Sequence, residues 1–227
     1  MTKLAQRITA LQATEKPSVC IVGSGAVGGY YGSRLWESGE FDVKFHMRGE
    51  HYERSAREGL NVTSVRGNMF IPPEELQAYT DTKQMGKGDW VIVALKSSAL
   101  EYIPRLIYPL LKPGKTRVLA IMNGLIEEDL IQLLKEHAGE DMDDKALHCC
   151  AALYGGMALV CSNRLGPGRI DHSYAGLLSG GVAACAPMIS EEENRKAFEE
   201  LWAKAKVEIA YEPSILSGRW RKVCFLA

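Results

Sequence analysis

The chain has 227 residues, with 27 Lys and Arg against 28 Asp and Glu for a formal charge of −1. Interspersed charges of both signs exclude the basic excess or stripe that nucleic-acid binding needs, and no apolar run approaches the roughly 20 residues required to cross a bilayer. Six cysteines (Cys20, Cys149, Cys150, Cys161, Cys185, Cys224) lie mostly in apolar runs with no C-x-x-C pair and no His/Cys metal-ligand cluster, so buried reduced thiols and no metal are expected.

Met1 to Lys16 carries Lys3, Arg7 and Lys16 against a single Glu15. The segment faintly resembles an organelle-targeting sequence but reads more simply as a frayed leading helix, and it lacks the apolar core of a secretory signal. A soluble protein of a reducing compartment, the cytoplasm, is the expectation. Val19–Val22 is an apolar strand that runs into Gly23, Ser24, Gly25, Ala26, Val27, Gly28 and Gly29. A glycine turn between a strand and a helix lets backbone N–H groups at the helix N-terminus face a pyrophosphate, because glycine tolerates the tight geometry and leaves no side chain in the way. Glycine spacing alone is a weak signal; here the strand before it, a helix over Ala26–Trp36 and a second strand at Asp42–Met47 supply the context. A dinucleotide is the ligand implied.

The end of the second strand in NAD-binding units of this type typically carries a carboxylate that accepts from the ribose 2′-OH. Arg48 stands there instead. A carboxylate would repel a 2′-phosphate, whereas a guanidinium pairs with it bidentately, so Arg48 tilts the reading to NADPH; a solvated surface arginine is the plain alternative. His51–Glu58 reads as a short helix and Leu60–Ile71 as a hairpin around Arg66-Gly67-Asn68, ended by Pro72-Pro73. Asp89–Leu95 is continuously apolar after its turn residue, which suits a central parallel strand covered on both faces. A helix over Ala99–Leu111 stops at Pro113-Gly114, and a strand over Arg117–Met122 ends at Asn123-Gly124.

Ligands of open parallel sheets collect outside the C-terminal strand edges. Lys96 and Asn123 fall there: the lysine suits a substrate carboxylate or a cofactor phosphate, the asparagine a nicotinamide ribose or the substrate. A surface lysine and a bare Asn-Gly turn explain the same residues equally well. Glu127–His137 continues as an amphipathic helix, a polar loop over Gly139–Lys145 follows, and His148–Leu159 returns to strand composition. The glycine-dense stretch Gly155–Gly181 predicts a meander of short antiparallel strands. Ser190 and Glu193 form a capping box that opens a helix over Glu192–Ala205, Val207–Ala210 is a last edge strand, and Ile215–Val223 opens another helix. The fold class is α/β: a Rossmann-type parallel sheet with an antiparallel extension and a truncated last helix.

Six motifs taken together, in order, carry a resemblance: Gly23-x-Gly25-Ala26-Val27-Gly28-Gly29-Tyr30-Tyr31-Gly32, Arg48, Val93-Ala94-Leu95-Lys96, Asn123-Gly124-Leu125, Gly166-Pro167-Gly168-x-Ile170-x-His172 and Trp220-Arg221-Lys222. The chain resembles the ketopantoate reductases (2-dehydropantoate 2-reductases) over nearly its whole length after Lys16. The resemblance implies NADPH-dependent reduction of 2-dehydropantoate, a step towards pantothenate and coenzyme A. With residues 1–17 read as a leader, it also implies a cofactor domain over 18–212 and the start of a helical domain over 213–227. By the resemblance Gly23, Ser24, Gly25, Ala26, Val27 and Gly28 hold the pyrophosphate, Arg48 the 2′-phosphate, Lys96 and Asn123 line the cofactor and substrate cleft, and Lys222 is the catalytic lysine; His172 matches a recurrent position with no role assigned. Spacing alone would make Lys222 part of an amphipathic helix end beside Arg219 and Arg221.

The resemblance is incomplete. Leu226 stands where the family has an asparagine four residues past the lysine, and the helical domain that closes the cleft is missing. A silent NADPH-binding or sensing module, or a reductase of another branched 2-oxoacid, are the competing readings. The side of the last helix bearing Trp220, Val223 and Phe225 is expected to be exposed and to favour pairing with another chain.

Overall fold

The computed structural model describes residues 16–144 and 146–226, with side chains as far as Cys224. The expected leading helix falls outside these residues except for Lys16. In chain order, β1 (Ser18–Val22) leads into α1 (Ala26–Glu37), followed by β2 (Asp42–His46), α2 (Gly49–Glu58), β3 (Leu60–Ser64), β4 (Met69–Ile71) and β5 (Gln77–Tyr79). Then come β6 (Trp90–Val93), α3 (Ile103–Ile107), β7 (Arg117–Ile121), α4 (Glu127–Ala138), β8 (Ala152–Gly166), β9 (Arg169–Cys185), α5 (Glu191–Trp202), β10 (Ile209–Tyr211) and α6 (Ile215–Leu226).

The strands β5, β2, β1, β6, β7 and the first part of β8 lie side by side in that order and all run parallel. This is the doubly wound order, whose direction of winding reverses at β1 and β6. Strand composition explains why both faces are covered. In β1, Val19 and Ile21 join one buried cluster with Tyr31, Phe45 and Trp202, while Cys20 and Val22 join another with Ile103, Leu130 and Leu134. Successive side chains of a strand point to opposite faces, so an unbroken apolar run needs a layer of helices on each. The chain supplies α1 and α5 on one side and α3 and α4 on the other.

The antiparallel extension differs from the expected meander. β8 and β9 are 15 and 17 residues long and form one hairpin, turned at Pro167-Gly168. Its mid-strand glycines Gly155, Gly156, Gly180 and Gly181 are not turns. Gly155 and Gly156 lie opposite Gly181 and Gly180 in mid-strand, where helices press closely: a Cβ on Gly180 would stand 2.7 Å from the ring of Phe198 in α5, and one on Gly181 2.0 Å from the carbonyl oxygen of Glu212 before α6. Glycine inside a strand marks such close approach as readily as a turn. β8 pairs with β7 only through Gly156, so the rest of the hairpin projects past the C-terminal edge of the parallel strands. Its far end is held by β3, which pairs with Arg169–His172.

Two further expectations are corrected, and one strand, β5, goes unread in the sequence. Ala99–Leu111 is not one helix: 3-10 turns at Ser97–Tyr102 and Tyr108–Leu110 flank the five-residue α3, because Pro104 and Pro109 each remove a backbone donor. β5 has only three residues, all half-buried, and so gives no apolar run to read. The thiols divide: Cys20, Cys149 and Cys150 are buried, but Cys161 and Cys224 are exposed. Among the described residues no helix is long and apolar enough to cross a membrane.

Candidate functional site

The winding reversal places two chain segments together, the glycine turn after β1 and Ala94-Leu95-Lys96 after β6. Gly23 has φ +95°, and a Cβ there would meet Leu95 Cδ2 at 2.5 Å. Gly28 is as constrained, since its Cβ would stand 2.3 Å from the Gly23 carbonyl oxygen. These two glycines thus let α1 start hard against the turn. Gly25, the N-cap of α1, provides no side-chain cap, and the first turn has no acidic residue. Its amide groups are left for a ligand, and they favour an anion. The Ser24 hydroxyl is buried with no hydrogen-bond partner among the described residues, a further polar atom waiting for one.

The turn is fixed from the far side by His51, which the sequence did not single out. Its Nε2 lies 2.8 Å from the Ser24 carbonyl oxygen, and its Nδ1 accepts from the Gly168 N–H at 3.0 Å. An Nδ1 that accepts carries no proton, so Nε2 carries it and donates to Ser24. Burial first, then the positive charge of Arg164, holds its pKa below the usual histidine value, keeping the ring neutral. This one ring ties the glycine turn to the tip of the β8–β9 hairpin.

Around the turn lies a cleft of about 1410 Å³. Gly23, Ser24, Gly25, Ala26, Val27, Arg48, Lys96, Asn123 and Lys222 all border it; Gly28 does not, being buried behind the turn. The hairpin forms the opposite wall and adds Arg164. Four lining residues are therefore cations (Arg48, Lys96, Arg164, Lys222) and none is a carboxylate. On a chain with a net charge of −1, that segregation makes the cleft a field for an anionic ligand. Arg48 begins α2 as its N-cap, is exposed, and has no ion-pair or hydrogen-bond partner among the described residues.

Lys222 comes from the other end of the sequence. Its Nζ donates to Asn123 Oδ1 and to the Ala158 carbonyl oxygen, each at 3.0 Å. An ammonium has three donors, so one remains for a ligand. Desolvation, with a smaller contribution from Arg219, lowers its pKa below the ordinary lysine value of 10.5. The helix that carries it is anchored by Arg219, 2% exposed, whose Nε and Nη2 reach Glu127 Oε1 at 2.9 and 2.6 Å. Sequence reading gave Arg219 no part of its own, although its place four residues after the buried Ile215 puts it on the inward stripe, where a charge needs a partner.

His172 is structural. It is 1% exposed and stacks on Tyr30 at 4.1 Å. Nδ1 lies 2.8 Å from Ser64 Oγ, which also accepts from the buried Arg34, and Nε2 lies 3.1 Å from the Ala175 carbonyl oxygen. Ala175 has φ +62°, so the ring supports a strained bulge at the rim of the cleft. On α6, Trp220 and Val223 are exposed as expected, with Leu216 beside them; the side chain of Phe225 lies outside the described residues.

Residues 19–183 match the family model described as ketopantoate reductase PanE/ApbA. The chain belongs to this family. A 2-dehydropantoate 2-reductase of Nostoc sp. is 32% identical over 205 residues, which are 89% of this chain and 58% of that protein. The crystal structure of a 2-dehydropantoate 2-reductase from Geobacter metallireducens aligns with a TM-score of 0.75 at 32% identity, over 92% of this chain and 62% of that one. A D-mandelate dehydrogenase solved with NADH and anilino(oxo)acetate shares the fold, with a TM-score of 0.72 at 21% identity over 91% of this chain and 60% of that one. The chain therefore spans less than two thirds of the length of each of these proteins.

Proposed function

We propose that the cleft binds NADPH and a 2-oxoacid and that the protein reduces the ketone, with 2-dehydropantoate as the substrate, in pantothenate formation. One observation carries the reading: Lys222 is held 3.0 Å from Asn123 at the edge of a cleft that also contains an uncapped, glycine-built helix N-terminus. Family membership supports the chemistry, and the four cations support ligands bearing phosphates and a carboxylate.

The residues fit such a cofactor. The first-turn amides of α1, with Gly23, Ser24, Gly25, Ala26 and Val27 around them, would take the diphosphate, Gly28 keeping that turn closed. Arg48 would pair with the 2′-phosphate, a bidentate contact that a 2′-hydroxyl does not offer. The bound nicotinamide would supply the hydride. Lys222 would aim its remaining N–H at the ketone oxygen, stabilise the negative charge that grows there, and deliver the proton. Its lowered pKa suits that task, since an ammonium that is less tightly protonated is a better acid. Asn123 and the Ala158 carbonyl orient the ammonium, and Lys96, exposed on the cleft wall, would hold the substrate carboxylate.

The test is NADPH oxidation by the purified chain with 2-dehydropantoate, alongside 2-oxoacids of other branching and an aromatic one. Turnover that vanishes in Lys222→Ala supports the reading. Tight NADPH binding without turnover of any 2-oxoacid refutes it as a reductase.

A further inference from the structure

Helix α6 brings Lys222 to Asn123, yet the group that seats the helix is hydrogen-bonded to neither side chain. The guanidinium of Arg219 donates twice to Glu127 Oε1 and, through Nη1, to the carbonyl oxygen of Met122. Met122 directly precedes Asn123, and Glu127 is the first residue of α4. One side chain thus joins α6, the end of β7 and the start of α4. Glu127 is itself 8% exposed, and β8 gives way to it: a Cβ on Gly155 would lie 2.3 Å from its Oε1 and 2.6 Å from Ile215 Cγ1.

A buried ion pair is a poor means of gluing two helices, because desolvating both charges offsets most of their attraction, and apolar residues of similar volume often do as well. What apolar packing lacks is direction. The planar fork of arginine accepts partners at fixed angles, so it sets the rotation and axial position of α6 to a degree that Ile215 sliding on a glycine surface does not. Lys222 follows Arg219 by three residues and so stands on the adjacent position of the same helix side. The charged groups around Lys222 are Arg219 on its own helix, with Glu127 behind it; Arg221, which is held by Glu212; and the other cations of the same cleft, Arg48, Lys96 and Arg164. Glu127 is the carboxylate that neutralises the nearer arginine.

We propose that the Arg219–Glu127 pair is the positioning element of the site, locking α6 in the register that presents the Lys222 ammonium to Asn123 and cancelling the buried charge beside it. The proposal rests on the reading of Lys222 as proton donor. Its test is kept separate from turnover: competitive acetylation of the full chain over a pH series, with each lysine followed by mass spectrometry. Glu127→Gln keeps an acceptor for Arg219 but leaves its charge uncancelled, so Lys222 is expected to label about tenfold faster at neutral pH as its proton affinity falls. Arg219→Lys keeps the charge but cannot bridge Glu127 and Met122 together, so Lys222 is expected to lose protection several-fold at every pH. Lys112 and Lys204 should label as before in both.

Melting temperature checks the fold, and Glu127→Asp, which keeps the charge on a shorter arm, stands in if Glu127→Gln fails to fold. Lys222 profiles that superimpose on the unaltered protein's would overturn the proposal, whatever happens to stability. So would loss of the fold in all three variants, which would make the pair a stability element only. If instead Lys222→Ala keeps its turnover while the labelling shifts appear, the positioning stands and the proton-donor reading fails.

Discussion

Two glycines of the same turn should fail in different ways when changed to alanine. At Gly28 the added Cβ would sit 2.3 Å from the Gly23 carbonyl oxygen and 3.0 Å from Ala94 Cβ, about 1 Å short of ordinary contact with a backbone atom that cannot swing aside. Overpacking of this kind costs about 1–3 kcal/mol, which at roughly 2–4 °C per kcal/mol for a chain of this size should lower the melting temperature measurably. At Gly25 the Cβ would meet nothing within 4 Å, and φ is −75° in the extended region. Gly25→Ala should therefore leave stability within about 0.5 kcal/mol. Its methyl group would, however, enter the open space where the start of α1 borders the cleft. Loss of one hydrogen bond to a charged group there, about 1.5–3 kcal/mol, predicts a tenfold or greater loss of NADPH affinity. Thermal melts and fluorescence titration with NADPH measure both quantities. Gly25→Ala with unaltered affinity would show that no diphosphate lies on this turn, and Gly28→Ala with an unaltered melting temperature would undo the packing argument.

Arg48→Ala should weaken NADPH by tenfold or more and NADH little, read by titrating each; equal losses would remove Arg48 from the 2′-phosphate. With Lys222 as the proposed acid and its pKa depressed by burial and by Arg219, turnover should fall as pH rises, with the alkaline limb centred below 10.5, and Lys222→Ala should abolish turnover while sparing NADPH affinity. His46, His51 and His172 all have pKa values held below the ordinary 6.5, chiefly by burial. In the window below 6.5 the unfolded chain binds protons that the folded one refuses, so stability should drop as pH falls through that window. Urea midpoints at successive pH values check this, and a midpoint that does not move would contradict it.

The parallel half of the fold was legible because its strands are buried on both faces and carry unbroken apolar runs, as in Val91–Val93 and Val118–Ile121, each fenced by turn residues. Where a strand is short and half-buried, as Gln77–Tyr79 is, its residues carry no pattern, and pairing with β2 rather than composition makes it a strand. The β8–β9 hairpin misled for a different reason. Glycine has two structural uses, turning a chain and admitting a neighbour, and local sequence does not separate them. Gly180 and Gly181 serve the second use, and the bodies they admit, Phe198 and Glu212, lie 18 and more residues onward.

The site shows the same division between local and distant information. Gly23–Val27, Arg48, Lys96 and Asn123 were readable because each sits at the end of a strand, and the winding of a parallel sheet carries all such ends to one edge. Lys222 has no strand to place it, so spacing alone left it a surface cation, and only the family motif marked it. What brings it to Asn123, 99 residues away, is a partnership between Arg219 and Glu127, 92 residues apart. A lone charge on the inward stripe of a helix says that a partner exists, since an unpaired buried guanidinium would be too costly. It does not say which of the acidic residues is that partner. Glu127 qualifies because Gly155 vacates the space beside it, so the identity of the pair depends on a third strand. Position in the sheet is thus written at each strand end, whereas the fit of α6 is written in three segments jointly and becomes visible only when they meet.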